Sequence, residues 1–202
     1  APKPGEHDTP GGRYLKRRGG DGGYMVIMQV PRETFTCYQS RVEELGIRIV
    51  SQPGRGEVGS GMQLHPKDIP GAIVELRWNA NENRRDGEWW PAAANWQRVK
   101  HTEIANGIRA AEIQTANPAA LTQRWSALLN EPIRIDDDGN PMLGLDGSSI
   151  RFVTPRDGRP EGLGGLDISA TNPAAALKRA EDAGCRSGES LITICGMRLR
   201  LV

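Results

Sequence analysis

Two stretches decide the fold: Ile113-Gln114-Thr115-Ala116-Asn117-Pro118-Ala119-Ala120 and Ile168-Ser169-Ala170-Thr171-Asn172-Pro173-Ala174-Ala175. Each passes from a short β-prone run into an asparagine, a proline and then helix formers. Asparagine is a favoured N-cap because its side-chain oxygen takes an orphan backbone N–H. Proline suits the first helical position, where its missing N–H costs nothing. The same strand-to-helix plan occurs earlier, at Ile27-Met28-Gln29-Val30-Pro31-Arg32. The run Ile47-Arg48-Ile49 returns as Ile133-Arg134-Ile135, at the same distance from its own first strand, and reads as a second match in one register. Self-similarity of this kind points to repeated supersecondary units.

Working outward, the first unit predicts a strand at 24–30 and a helix at 33–45 closed by Gly46, then strands at 47–51, 61–65 and 72–78. The second predicts a strand at 108–115 and a helix at 118–129, then strands at 133–136, 141–145 and 149–154, with Asp137-Asp138-Gly139-Asn140 as a hairpin turn. The third predicts a strand at 166–170, a helix at 173–183 closed by Gly184, and a final hairpin, 191–195 and 197–202, turning at Gly196. Each unit is βαβββ, with the second strand weak in the third. The expected class is α+β: tandem βαβββ modules forming curved mixed sheets with helices on the outer face. The expected division is a linker at 1–23, modules at 24–78 and 107–155 joined by a linker at 79–106, and a degenerate module at 156–202 that pairs with 107–155.

The faces can be read as well. Leu121, Trp125, Leu128 and Leu129 recur at helical spacing. In the last strand of the first unit, Val74, Leu76 and Trp78 oppose Ile73, Glu75 and Arg77. Ile150 and Phe152 likewise oppose Arg151 and Val153, and Leu199 and Leu201 oppose Arg198 and Arg200. One face packs on the helix. The charged face is either solvated or the wall of a cup around a ligand.

Lys+Arg 26 against Asp+Glu 25 leaves a net charge of +1, which argues against nucleic acid as a partner. No apolar run approaches the roughly 20 residues of a membrane span. The three cysteines, Cys37, Cys185 and Cys195, make neither a zinc pattern nor a disulfide framework, so a reducing cytoplasm is expected. Residues 1–23 hold seven glycines and three prolines and read as loop. They look like the connection from an upstream module, and an intact partner module or a homodimer is expected to complete the odd number of units. Three of the five tryptophans fall in Trp89-Trp90-Pro91-Ala92-Ala93-Ala94-Asn95-Trp96, read as a linker pinned to the body.

Tandem βαβββ units of this size resemble the vicinal-oxygen-chelate superfamily, which includes glyoxalase I, bleomycin-resistance proteins, extradiol dioxygenases and methylmalonyl-CoA epimerase. His65-Pro66-Lys67-Asp68-Ile69-Pro70-Gly71-Ala72-Ile73-Val74-Glu75-Leu76 is similar to the end of the second module of methylmalonyl-CoA epimerases. The resemblance implies two modules per cup, with metal ligands drawn from the first and last strands of each. It makes Glu75 a metal ligand or proton carrier and His65 a second catalytic candidate. The other positions depart from the pattern. First-strand sites fall at Met25, near Ala110 with Glu112 two residues on, and near Gly165. The remaining last-strand sites are Arg151 and Arg200. Arginine is always a cation and ligates no metal.

Each candidate has a plainer alternative. Glu75 can pair with Arg77, and His65 can simply hold the turn. His7 and His101 lie in loop-like sequence. Arg151 and Arg200 can clamp an anionic ligand with Glu112 as partner, or form ion pairs with residues such as Asp167. Two functions follow. One is a metal-dependent lyase, isomerase, epimerase or dioxygenase acting on a small oxygenated anion through one divalent metal (Zn, Mn, Fe, Ni or Co). The other is a metal-free protein that binds or sequesters a small molecule, as bleomycin-resistance proteins do.

Overall fold

The structure, a computed structural model, describes residues 10–80, 87, 89, 92 and 95–202. Strands β1 (Met25–Gln29), β2 (Ile49–Ser51), β3 (Gly59–Leu64) and β4 (Ile73–Asn79) form one sheet in the order β1-β4-β3-β2. Strands β5 (Ala105–Gln114), β6 (Ile133–Ile135), β7 (Pro141–Leu145), β8 (Ser148–Val153), β9 (Gly162–Ala170), β10 (Leu191–Ile194) and β11 (Met197–Leu201) form a second, in the order β10-β11-β9-β5-β8-β7-β6. In each group the first strand runs parallel to the last: β1 with β4, β5 with β8, β9 with β11. β5 and β9 lie side by side and antiparallel, which makes the seven strands one wall. The weak second strand of the third group shrinks to a single bridge, Arg186 to Ile192.

The helices start where the capping chemistry places them. In α3 (Pro118–Leu129) Asn117 Oδ1 accepts from the Ala120 N–H at 3.1 Å, and in α4 (Pro173–Asp182) Asn172 Oδ1 accepts from Ala175 at 3.0 Å. Helix α2 (Phe35–Glu44) ends at Gly46, and α4 at Gly184, both at positive φ. Leu121, Trp125, Leu128 and Leu129 are all buried, and Trp125 meets Phe152 edge-on at 5.7 Å. Trp125 also donates its indole N–H to the Pro70 carbonyl at 2.9 Å, and Arg124 reaches the Asp68 and Leu45 carbonyls. The turn between β3 and β4 therefore sits on α3. Gly71 must be glycine there: its φ is +97°, and a Cβ would come within 2.6 Å of Ile113. Met62, Leu64 and Leu76 of the first sheet and Ile113, Leu143 and Phe152 of the second join one core.

Two expectations need correction. The stretch read as loop carries a helix, α1 (Pro10–Arg18), ended by Gly19 and Gly20 at positive φ. Composition missed it because its main anchor is long-range: Arg18 is buried and donates to the Pro160 carbonyl at 2.8 Å, while the Tyr14 hydroxyl donates nearby to the Gly23 carbonyl. The Ile-Arg-Ile match also does not superpose. Ile47 is buried before β2 begins, whereas Ile133 and Ile135 are exposed within β6. Ile27 is exposed while Ile113 is fully buried, and Met28 takes the core side of β1. A one-residue offset in a strand exchanges its two faces.

Candidate functional site

Charged side chains gather on the sheet faces turned away from the core. In the first sheet Glu75 lies in register with Ile27 on one side and Gln63 on the other. The Glu75 carboxylate accepts from Arg77 Nε at 2.8 Å and also from Arg77 Nη2. Both residues are buried, and the Arg77 guanidinium lies 5.7 Å from the Trp89 ring centroid. Trp89 thus covers this face, and Trp96 donates to the Gly87 carbonyl at 3.3 Å; Trp90 and His7 lie outside the described residues. Asn79 donates to the Gln29 side chain at 3.2 Å beyond Arg77.

His65 sits in the turn that follows β3. Its Nδ1 accepts from the Lys67 backbone N–H at 3.2 Å, and its carbonyl accepts from Asp68 and Ile69. A backbone N–H only donates, so Nδ1 is the unprotonated nitrogen. Arg48 grips Asp68 with Nε and Nη2, both at 2.8 Å, and this holds the Asp68 carboxyl far below the usual carboxylate range. No hydrogen bond or ion pair joins His65 to Glu75 among the described residues. His101 is exposed and lies 3.7 Å from Glu103.

The second sheet brings the other candidates together. Register places Glu112 beside Arg151 and Asp167 beside Arg200, one acid on each first strand and one arginine on each last strand. Across the β5–β9 seam Arg151 bridges both acids. Its Nη2 donates to Glu112 at 3.0 Å, and its Nη1 and Nη2 donate to the two Asp167 oxygens at 2.9 and 3.0 Å. Asp136 lies 3.8 Å from its Nε. Arg200 donates to Asp167 at 3.0 and 2.6 Å, and Arg198 donates to Glu112 at 2.8 Å and to Gln114 at 3.0 Å. Asp157 lies 3.2 Å from Arg198 Nη1 and accepts from Gln114 at 2.6 Å. Arg198, Gln114 and Asp157 were not singled out as site residues in the sequence. The alternation on β11 that exposed Arg200 carried the same signal for Arg198.

The electrostatics follow from this geometry. Burial pushes the Glu112 carboxyl up, but donations from Arg198 and Arg151 outweigh it and hold the group below its ordinary range. Asp167 behaves alike, with burial opposed by Arg151 and Arg200. Burial pulls Arg151 down, yet its bonds to Asp167 and Glu112 leave it a firmer cation than a free arginine. Arg151 is 8% exposed and Arg200 40%, with Arg200 Nη1 3.5 Å from Asp138 in the β6–β7 turn. Arg200 is therefore the reachable guanidinium of the linked pair.

A divalent metal does not fit these donors as they stand. Among the described residues no three His, Cys, Asp or Glu side chains converge in a metal-holding group. Glu75 is taken up by Arg77. The Glu112 and Asp167 oxygens point at guanidinium N–H groups, and an ion placed there would face Arg151, Arg198 and Arg200.

Paired βαβ-type units whose first strands meet in one curved mixed sheet define the vicinal-oxygen-chelate, or glyoxalase-like, fold, and the chain has that fold. Solved structures agree. A hypothetical protein from Staphylococcus aureus superposes with a TM-score of 0.60 at 9% identity, over 97% of this chain and 74% of that one. The Mn(II)-bound glyoxalase from Novosphingobium aromaticivorans gives 0.60 at 13% identity, over 88% of this chain and 61% of that one. The 2,2',3-trihydroxybiphenyl 1,2-dioxygenase from Sphingomonas wittichii RW1 gives 0.55 at 12% identity, over 88% and 69%. No protein-family model and no curated protein matches the sequence. No described helix is long and apolar enough to cross a membrane.

Proposed function

We propose that this chain is a glyoxalase-like binding protein that holds a small anionic molecule without a metal, in the manner of bleomycin-resistance proteins. The observation that carries the reading is the division of labour between two arginines. Arg151 is locked between Glu112 and Asp167, while Arg200 keeps a half-exposed guanidinium beside the exposed Asp138 carboxylate. A carboxylate or phosphate can take the place of Asp138 on Arg200 with two parallel N–H donations. Glu112 and Arg151 then position the wall and do not touch the ligand. The proposed setting is a reducing cytoplasm, in line with three cysteines, Cys37, Cys185 and Cys195, that make no disulfide framework in the sequence.

The test is titration with a panel of small carboxylates and phosphates, followed by amide NMR shifts. At least one is expected to bind at or below about 1 mM, and Arg200→Gln to weaken it by about tenfold or more. Equal binding by Arg200→Gln, or a panel without a binder, overturns the reading.

One observation favours a second reading, a metal-dependent lyase, isomerase, epimerase or dioxygenase. Among the described residues β1 pairs with β4 alone, and a groove of about 540 Å³, with Met25, Ile27, Ile108, Leu145 and Leu166 in its walls, runs along it. A further βαβββ unit, from an upstream module or a second copy of the chain, would add its first strand at that edge. Its ligands would then join Glu75, as the likeness of His65–Leu76 to methylmalonyl-CoA epimerase implies. Elemental analysis of the purified protein distinguishes the readings: about one Zn, Mn, Fe, Ni or Co per chain, lost in Glu75→Ala, favours the enzyme.

A further inference from the structure

The sheet formed by β5 to β11 carries carboxylates on the first strands of both units, two residues beyond the positions that the family resemblance assigns to metal ligands and opposite the last-strand positions, and a side chain of the protein is seated among them. Glu112 comes from the first strand of one unit and Asp167 from the first strand of the other, and the register makes them counterparts. Asp136 adds a third carboxylate from the end of β6. All three converge on one guanidinium, with nearest approaches of 3.0 Å to Glu112, 2.9 Å to Asp167 and 3.8 Å to Asp136. Glu112, Asp167 and Arg151 are each more than nine-tenths buried. A buried pair of carboxylates needs a counter-cation, and the fold can meet that need with a metal or with an arginine.

We propose that Arg151 is the resident cation of this cup, standing where a divalent metal would otherwise bind and keeping the cup closed to metals. The planar fork explains why arginine serves. It donates in parallel to Asp167 and sideways to Glu112, so one side chain satisfies acids from both units at once. Lysine, with a point charge, cannot span the seam in that way. Arg198 and Arg200 take the outer lone pairs of the same acids and leave no oxygen turned to an incoming ion. The cup is thus a charge-compensated version of a metal cup, with its positive centre built into the chain.

The proposal does not depend on which ligand the cup takes. It has its own experiment, so it can fail while the binding reading stands, and the reverse. Mn²⁺ is titrated into wild type, Arg151→Ala and Arg151→Gln, with free Mn²⁺ read by electron paramagnetic resonance and melting read by circular dichroism. Wild type is expected to take up no stoichiometric Mn²⁺ in the cup. The vacated carboxylates are hard oxygen donors suited to Mn²⁺, so Arg151→Ala is expected to bind about one ion. A site binding about 100-fold below an Mn²⁺ concentration near 1 mM should raise that variant's melting temperature by roughly 5–10 °C. Adding Glu112→Gln should abolish the gain. If the variants do not fold alone, recovery of the far-ultraviolet spectrum on adding Mn²⁺ supports the proposal, and failure to recover overturns it. Folded variants that bind no Mn²⁺ overturn it, as does wild-type uptake that survives Glu75→Gln.

Discussion

Two walls of the molecule carry charge on the face turned from the core, and they neutralise it differently. On β4 the acid and its arginine are neighbours on one strand: Glu75 and Arg77 are two residues apart and share a face. The ion pair itself stays within one strand, while the Arg77 guanidinium also lies 5.7 Å from the Trp89 ring centroid. Between β5 and β11 the partners come from different strands and different units: Glu112, Arg151, Asp167, Arg198 and Arg200. This network crosses the β5–β9 seam, where two units become one sheet. The contrast teaches that the same residue types stabilise a strand in one wall and an assembly of units in the other.

The largest expected effect sharpens that contrast. Arg151→Ala leaves two buried carboxylates without their shared cation and should cost about 3–5 kcal/mol, measured by urea unfolding. Glu75→Gln removes one charge from a local pair and should cost less, about 1–3 kcal/mol. Equal losses would break the distinction between a seam network and a strand pair.

Acid provides a second way in. The Glu112 and Asp167 carboxyls are held below their ordinary range, so their contribution is fully present above a pH of about 4 and is lost as pH falls through the lower folded values. Wild type should keep a nearly constant melting temperature above a pH of about 5 and lose stability below about 4. A Glu112→Gln/Asp167→Asn double variant should show a shallower acid decline. Matching declines would mean that the seam acids do not govern it.

The smallest expected effect compares the two capped helices. Asn117→Ala and Asn172→Ala each remove one N-cap acceptor and should each cost about 1 kcal/mol. A much larger loss at either cap would mean that the asparagine does more in that unit than satisfy one N–H.

The units were legible because their signals are local. Asn-Pro caps, Gly46 and Gly184, and the Asp136–Asn140 turn act within a few residues of themselves. Glu75 with Arg77 was visible as an alternative because strand alternation puts both on one face, whereas Asp167 meets Arg151 and Arg200 only through the pairing of separate strands. What escaped depends on distant partners. Helix α1 is held by the 160s, and Arg198 and Asp157 meet only once β9 lies against β5 with its register shifts. The Ile-Arg-Ile match misled because composition does not report which face a strand residue takes. His65 holds its own turn, a role that its place in His-Pro-Lys already suggested.

The account rests on Arg151 and Asp167 acting as one unit across the seam, and a double-mutant cycle tests that directly. Stabilities are measured for wild type, Arg151→Ala, Asp167→Asn and the double variant. Coupling of about 1.5–3 kcal/mol is expected for a buried, two-pronged pair. Losses that add to within about 0.5 kcal/mol would contradict it, because independent residues show that behaviour.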